Sequence, residues 1–364
     1  MRTLRTNARR PRRPRATTAA GALALLTTLG AIRRIGSHPA RGASRKWLTR
    51  LALLVLGGAL LLVAAPASAV TSDTAKGSTT CRSGAGRAVP KPAATPGVRV
   101  LHTYRMSFAT EMANAIRVDR AKLVPLLPKG YEPVPASAVG LGGENDGVFV
   151  IVNVCNENFG VDGRVSQRTS LVNVPSILVR EPAGAATAGL DIPGAFHLYP
   201  LAIYINDRAY VDSLRDADMP ARFLPGITHD RRIDDAGVGT LKVRVPAGKN
   251  PFHSLSEAAG FTSTGRVDVV LWYEGRKGTA ALSFRFDVAQ EGPARSQVFT
   301  KPGTQLNRLL AGGGLGPGPT DPRTGFESIR TPSLSFQYPQ GGSASLVLVK
   351  KPCGHGSKCV SRAR

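Results

Sequence analysis

The sequence predicts an α+β fold that is mainly antiparallel β, a curved sheet or closed β-barrel or cone with a few short peripheral helices. Composition is the first reason: 40 Gly and 27 Pro stand against only 6% aromatic residues in 364, which favours many turns and short strands over long helices. Apolar runs of strand length, some alternating with period two, are the second. A Gly-bounded four-residue connection between two such runs, the signal of an antiparallel hairpin, is the third. With 42% hydrophobic content the chain can bury one large core, and an all-helical bundle is excluded.

The formal charge of +24 is unevenly spread, since residues 1–50 hold 13 Lys and Arg and no acid. Arg2 to Arg15 is strongly basic and Ala16 to Ile32 is weakly apolar, so residues 1–45 read as a basic arm. Residues 46–69 read as a signal peptide: Leu51 to Ala65 is apolar, follows Arg45, Lys46 and Arg50, and ends in the small-x-small pattern Ala67, Ser68, Ala69. Leu48 to Ala69 is also long enough to serve as an uncleaved anchor. Cleavage after Ala69 would leave +11 over 295 residues. Residues 70–97, rich in Ala, Gly, Ser, Thr and Pro, form a tether, residues 98–349 the β domain, and residues 350–364 a basic tail. The expected location is secreted, or anchored at the N-terminus and facing outside. Nucleic acid is excluded as a partner, because the densest basic run precedes the cleavage site and no aromatic-basic interleaving follows it. A membrane partner is expected only through the signal or anchor segment, and a homo-oligomer is left open.

Within the domain, Asp119 caps a short helix over Arg120 to Leu126, which Pro128 and Gly130 end. Gly147 to Cys155 is almost continuously β-branched or aromatic, as a strand covered on both faces would be. Leu171 to Val179 and Phe196 to Asn206 are similar, with Pro175 and Pro200 pushing each toward an edge or a bend. Thr240 to Val245 alternates and is half exposed. Ser254 with Glu257 makes a capping box, which predicts a short helix before Gly260. Arg266 to Glu274 and Thr279 to Ala289 form the hairpin, turning through Gly275 to Gly278. Thr304 caps Gln305 to Ala311, and Ser333 to Tyr338 and Ala344 to Val349 add late strands. About nine strands result, and the Gly312 to Gly325 loop reads as exposed or lid-like.

No strong catalytic motif appears: there is no phosphate-binding loop, no HExxH and no nucleophile elbow, and no cofactor is implied. His229 and Asp230 beside Arg231, Arg232, Asp234 and Asp235 could form a general base or a solvated charged loop. His253 and His197 suit structural roles as well as catalytic ones. Four cysteines suit an oxidising compartment. Cys353 and Cys359 close a short loop as a local disulfide; with His355 they match no common zinc spacing, so no metal is expected. Cys155 reads as a buried thiol, with Cys81 as an alternative partner.

Leu126, Leu127, Pro128, Lys129, Gly130, Tyr131, Glu132 and Pro133, after a polar helix and before Gly147 to Cys155 and the Val174-Pro175 pair, resemble the opening half of the acetoacetate decarboxylase-like superfamily. The resemblance covers roughly Met106 to Pro225 in order of elements. It implies a lumen and a lysine that forms a Schiff base, its amine kept neutral by a neighbouring cation and an apolar site. The corresponding stretch here, Asn206 to Arg222, contains no lysine, and a guanidinium forms no imine. Ser170 stands near the place of a family carboxylate. Lys242 is the outside alternative for an amine projecting into the lumen, or else faces solvent. The resemblance thus points to a small organic acid or apolar metabolite held in the lumen, with Arg215 and Arg222 clamping a carboxylate and Tyr204 and Asn206 lining the wall. A lyase or hydrolase acting through His229, Asp230, His253 or Lys242, and a secreted interaction protein without catalysis, are the alternatives.

Overall fold

Alternation in the first segments sets the architecture. Val98–Met106 (β1) and Phe108–Asp119 (β2) are followed by two long strands, Asp146–Val161 (β3) and Arg164–Leu178 (β4). Asp162 and Gly163, at φ 50° and 80°, make the two-residue turn between β3 and β4, for which an Asp-Gly pair with positive φ at both positions is the favoured chemistry. Phe196–Pro200 (β5), Ile203–Ile205 (β6) and Ala221–Phe223 (β7) are short. A meander follows, made of Thr228–Ile233 (β8), Val238–Val245 (β9) and Phe252–Ala259 (β10). Ser263–Gly275 (β11) and Gly278–Thr300 (β12) form the expected hairpin, with Gly275 opposite Gly278, and Glu327–Tyr338 (β13) and Gly342–Val349 (β14) complete the sheet. The computed structural model describes residues 98–349; the arm, signal segment, tether and Cys353–Cys359 bridge expected from sequence lie outside them.

The fourteen strands form one large mixed sheet. Seven of them close a ring: β2 pairs β3, β3 pairs β4, β4 pairs β5, β5 lies parallel to β11, β11 pairs β12, β12 pairs β13, and β13 returns to β2. β12 is long enough to serve two neighbourhoods, pairing β14 through Thr279–Arg285 and β10 through Ala294–Thr300. Pro175, which has no amide to donate, sits where β4 changes partner from β6 to β5. One apolar cluster lines the inside of the ring, and a second fills the space between its outer face and the meander. Trp272, Tyr104, Tyr210, Tyr338 and Phe149 are among the fully buried side chains, each stabilising by roughly 1.5–3 kcal/mol through the apolar area removed from water.

The helices are short and capped. Asp119 accepts from Ala121 N at 2.8 Å to start Arg120–Leu123 (α1), which a 3₁₀ turn over Val124–Leu126 extends. Arg208–Arg215 (α2), not foreseen from sequence, is capped by Asp207 accepting from Tyr210 N at 3.2 Å. Thr304 caps Gln305–Leu310 (α3) through Asn307 N at 3.2 Å. Among the described residues no helix is long and apolar enough to cross a membrane.

One expectation is corrected and another refined. The Ser254 and Glu257 capping box forms no helix: those residues lie in β10, where Phe252, Ser254, Ser256 and Ala258 are buried and both strand edges are paired, to β9 and to β12. The Gly312 to Gly325 loop is largely exposed, as expected, but its start is docked against the sheet, since Gly314 N donates to Arg117 O and Leu315 N to Arg330 O. A Cβ at Gly313 or Gly314 would fall 2.5 Å or 2.3 Å from those same carbonyl oxygens, so the close approach depends on glycine.

Candidate functional site

The ring encloses a lumen with two lobes. Each has a cavity volume of about 50 Å³, and they share Glu111, Val152, Leu198 and Val269 as common wall. By the space one water needs, each lobe takes on the order of four waters, and together they suit a molecule of a few to about eight heavy atoms. β2, β3, β4, β5, β11, β12 and β13 each contribute apolar side chains, and α2 contributes Tyr210. Such walls follow from period-two geometry: the even-numbered residues from Val148 to Val154 face the lumen, while Phe149 and Ile151 face the second core.

Among the described residues Glu111 is the one ionisable carboxyl on these walls, and no Lys, Arg or His lines either lobe. It lies mid-strand on β2 opposite Val154. It lines both lobes, and burial pushes its carboxyl up to about 7, against the stabilising effect of a hydrogen bond from Tyr338. That bond runs from the Tyr338 hydroxyl to Glu111 Oε2 at 2.9 Å. Tyr338 is itself fully buried and stacks on Phe286 with ring centroids 3.7 Å apart, so the donor is held by packing.

A second polar station lies diagonally across β3. Asn156 is 3% exposed and lines the first lobe, and its Oδ1 has no hydrogen-bond partner. Ser170, directly opposite it on β4 and fully buried, also has an unpartnered Oγ. Buried polar atoms without partners cost roughly 1–3 kcal/mol each. Glu111 faces Val154, two residues from Asn156 on the same face, so the two stations are diagonal neighbours about 7–8 Å apart along the wall.

The residues singled out from sequence fall elsewhere. Lys242 is exposed on β9, opposite Asp230 of β8. His229 is buried in the second core with Nε2 unpartnered, and burial lowers its pKa to about 4. His253 points to the opposite face of the meander, because His229 pairs Val243 and Val243 pairs Ser254, its neighbour. There His253 stacks on Phe299 and Phe326 with Nε2 3.2 Å from Asp321. Asp230 sits 3.4 Å from Arg232. Arg215 donates from Nε to Ala221 O and lies 3.6 Å from Asp212, Arg222 is exposed on β7, Tyr204 packs in the second core, and Asn206 accepts from Leu171 N at 2.7 Å. None of them lines either lobe, and the structure brings no two of the catalytic candidates together on a cavity. Among the described residues no group of three or more His, Cys, Asp or Glu could hold a metal, and Cys155 is not a free thiol.

No protein-family model matches the chain, and no curated protein matches its sequence. Solved structures do. One is an acetoacetate decarboxylase-like enzyme from Sphingomonas wittichii RW1, at 11% identity over 74% of this chain and 99% of that one, with a TM-score of 0.38. Another is the enduracididine biosynthesis enzyme MppR complexed with the condensation product of pyruvate and imidazole 4-carboxaldehyde, at 12% identity over 73% and 98%, with a TM-score of 0.41. A third is acetoacetate decarboxylase from Legionella pneumophila subsp. pneumophila str. Philadelphia 1, at 11% identity over 74% and 96%, with a TM-score of 0.38. The structure neighbours are thus acetoacetate decarboxylase-like proteins, the group the Leu126 to Pro133 segment resembles.

Proposed function

We propose that this chain binds a small, mainly apolar molecule in the lumen, between Glu111 and the Asn156–Ser170 station, without forming an imine. The observation that carries the reading is the apolar wall of the two lobes with two polar side chains set in it, Glu111 and Asn156, the second with an unpartnered Oδ1. Concave, largely apolar sites with a few placed polar groups are the general form of small-molecule sites. An imine needs a neutral primary amine, and the walls of both lobes offer none. The basic flank, the apolar run and the Ala67-Ser68-Ala69 ending support export of the domain before it works; the N-terminal residue of the mature protein checks that.

Benzyl alcohol, titrated calorimetrically into the wild type and into Val152→Trp, tests the binding site. Val152 belongs to both lobes, so an indole there fills the space. Saturable binding to the wild type that disappears in a folded Val152→Trp is the expected result. Binding that survives the substitution places the ligand outside the lumen and ends the proposal.

A further inference from the structure

The resemblance to acetoacetate decarboxylase-like proteins leads to an organic acid as ligand, with arginines for its carboxylate. The lumen is built for the opposite charge class. Arg215 and Arg222, the expected clamp, are outside it. Among the described residues its walls carry one carboxyl and no cation. Glu111 has no counter-ion among the described residues; its partner is a neutral hydroxyl, that of Tyr338. A ligand carboxylate would enter an apolar space with no cation to pair with, and would stand beside a second carboxyl of the same sign. An uncharged hydroxyl or amide meets no such cost, since a carboxyl accepts or donates a hydrogen bond according to its protonation, and Asn156 Oδ1 accepts.

We infer that Glu111 is the specificity-determining residue of the lumen, restricting it to uncharged ligands that bear a hydrogen-bond donor and rejecting carboxylates of the same shape. This deepens the binding proposal and rests on it. Lumen occupancy is proton-linked for anions in consequence. The groups that face Glu111 are few: Tyr338 on β13, with Glu291 acting on that tyrosine, and across the lobe Tyr210 on α2; β3, β4, β5, β11 and β12 present apolar side chains apart from Asn156.

Benzyl alcohol and benzoate, which share a ring and differ in charge, are the probes, titrated at about pH 8.5, above the Glu111 titration. The wild type should bind the alcohol at least about tenfold more tightly than benzoate. Glu111→Gln keeps the shape, adds an N–H donor and removes the charge, and should raise benzoate affinity about tenfold or more while changing the alcohol by less than about threefold. A measurement without substitution gives the same information: benzoate affinity for the wild type should rise as pH is lowered from about 8.5 to about 6 and Glu111 takes up its proton. Benzoate binding within about threefold of the alcohol in the wild type, or benzoate affinity unmoved both by Glu111→Gln and by the pH change, overturns the assignment while leaving the lumen reading intact. Binding of neither probe to either protein removes the lumen reading and this inference together.

Discussion

At the scale of single residues, Glu111 governs how the protein responds to pH. Burial raises its carboxyl from an ordinary value of 4.5 to about 7, so the folded state holds this proton more tightly than the unfolded chain. Its contribution to stability is therefore complete below about pH 4.5 and is lost as pH rises through about 7. Glu111→Gln should be more stable than the wild type at pH 8, by up to roughly 3 kcal/mol, and close to equal at pH 4; thermal melts at the two pH values check this. His102 has the same sign. Its Nδ1 lies 2.7 Å from Asp162 and its Nε2 2.9 Å from Asp216, and only the imidazolium donates from both nitrogens. Partial burial alone would lower its pKa, but the two carboxylates outweigh that and raise it. This link between β1, the β3–β4 turn and the end of α2 is present below about pH 6.5 and fades as pH rises through the raised value. The carboxylates are half exposed or more, so His102→Ala should cost less than about 1 kcal/mol at pH 6 and nothing by about pH 9. A cost that grows with pH would contradict the imidazolium assignment. The sequence hid Glu111 because Glu111, Ala113 and Ala115 alternate with Met112, Asn114 and Ile116, and a small or polar face toward a lumen has the same pattern as one toward solvent.

Among the elements, legibility followed whether the signal was local. The Gly275 to Gly278 turn and the Asp119 and Thr304 caps were readable because a few adjacent residues specify each. β10 was misread because its capping-box residues obey partners far away in sequence, with Ser254 opposite Val298 and Glu257 opposite Arg295. The Asp162-Gly163 turn carried a readable signal, and using it would have joined β3 and β4 at full length. Gly239, at φ 144° opposite Ile233, is a point where the meander admits no substitute. A Cβ there would lie 1.9 Å from Arg232 O, so Gly239→Ala should lower stability by more than about 2 kcal/mol in denaturant unfolding. Asp207→Ala, which removes the α2 cap beneath a lumen-wall residue, Tyr210, should cost about 1 kcal/mol by the same measurement and weaken ligand binding with it. An unchanged midpoint would show that packing alone holds α2.

For the whole molecule, function depends on closure. The ring exists because β13 returns to β2 and β5 lies against β11, pairings between segments far apart in sequence that no local pattern encodes. Fold class was legible from composition and alternation. The lumen was not, because its walls come from eight strands and are apolar in the same way as a filled core. The expected clamp residues Arg215 and Arg222 line neither lobe, for a related reason: the order of elements from the Leu126–Pro133 turn onward does not fix which side chains of α2 and β7 turn inward. The most direct test of the account is a crystal of the protein soaked in benzyl alcohol. Density for the ring between Val152, Leu198 and Val269, with its hydroxyl within hydrogen-bond reach of Glu111 or Asn156, is the predicted result. An empty lumen in a crystal that holds the alcohol at another site would contradict it.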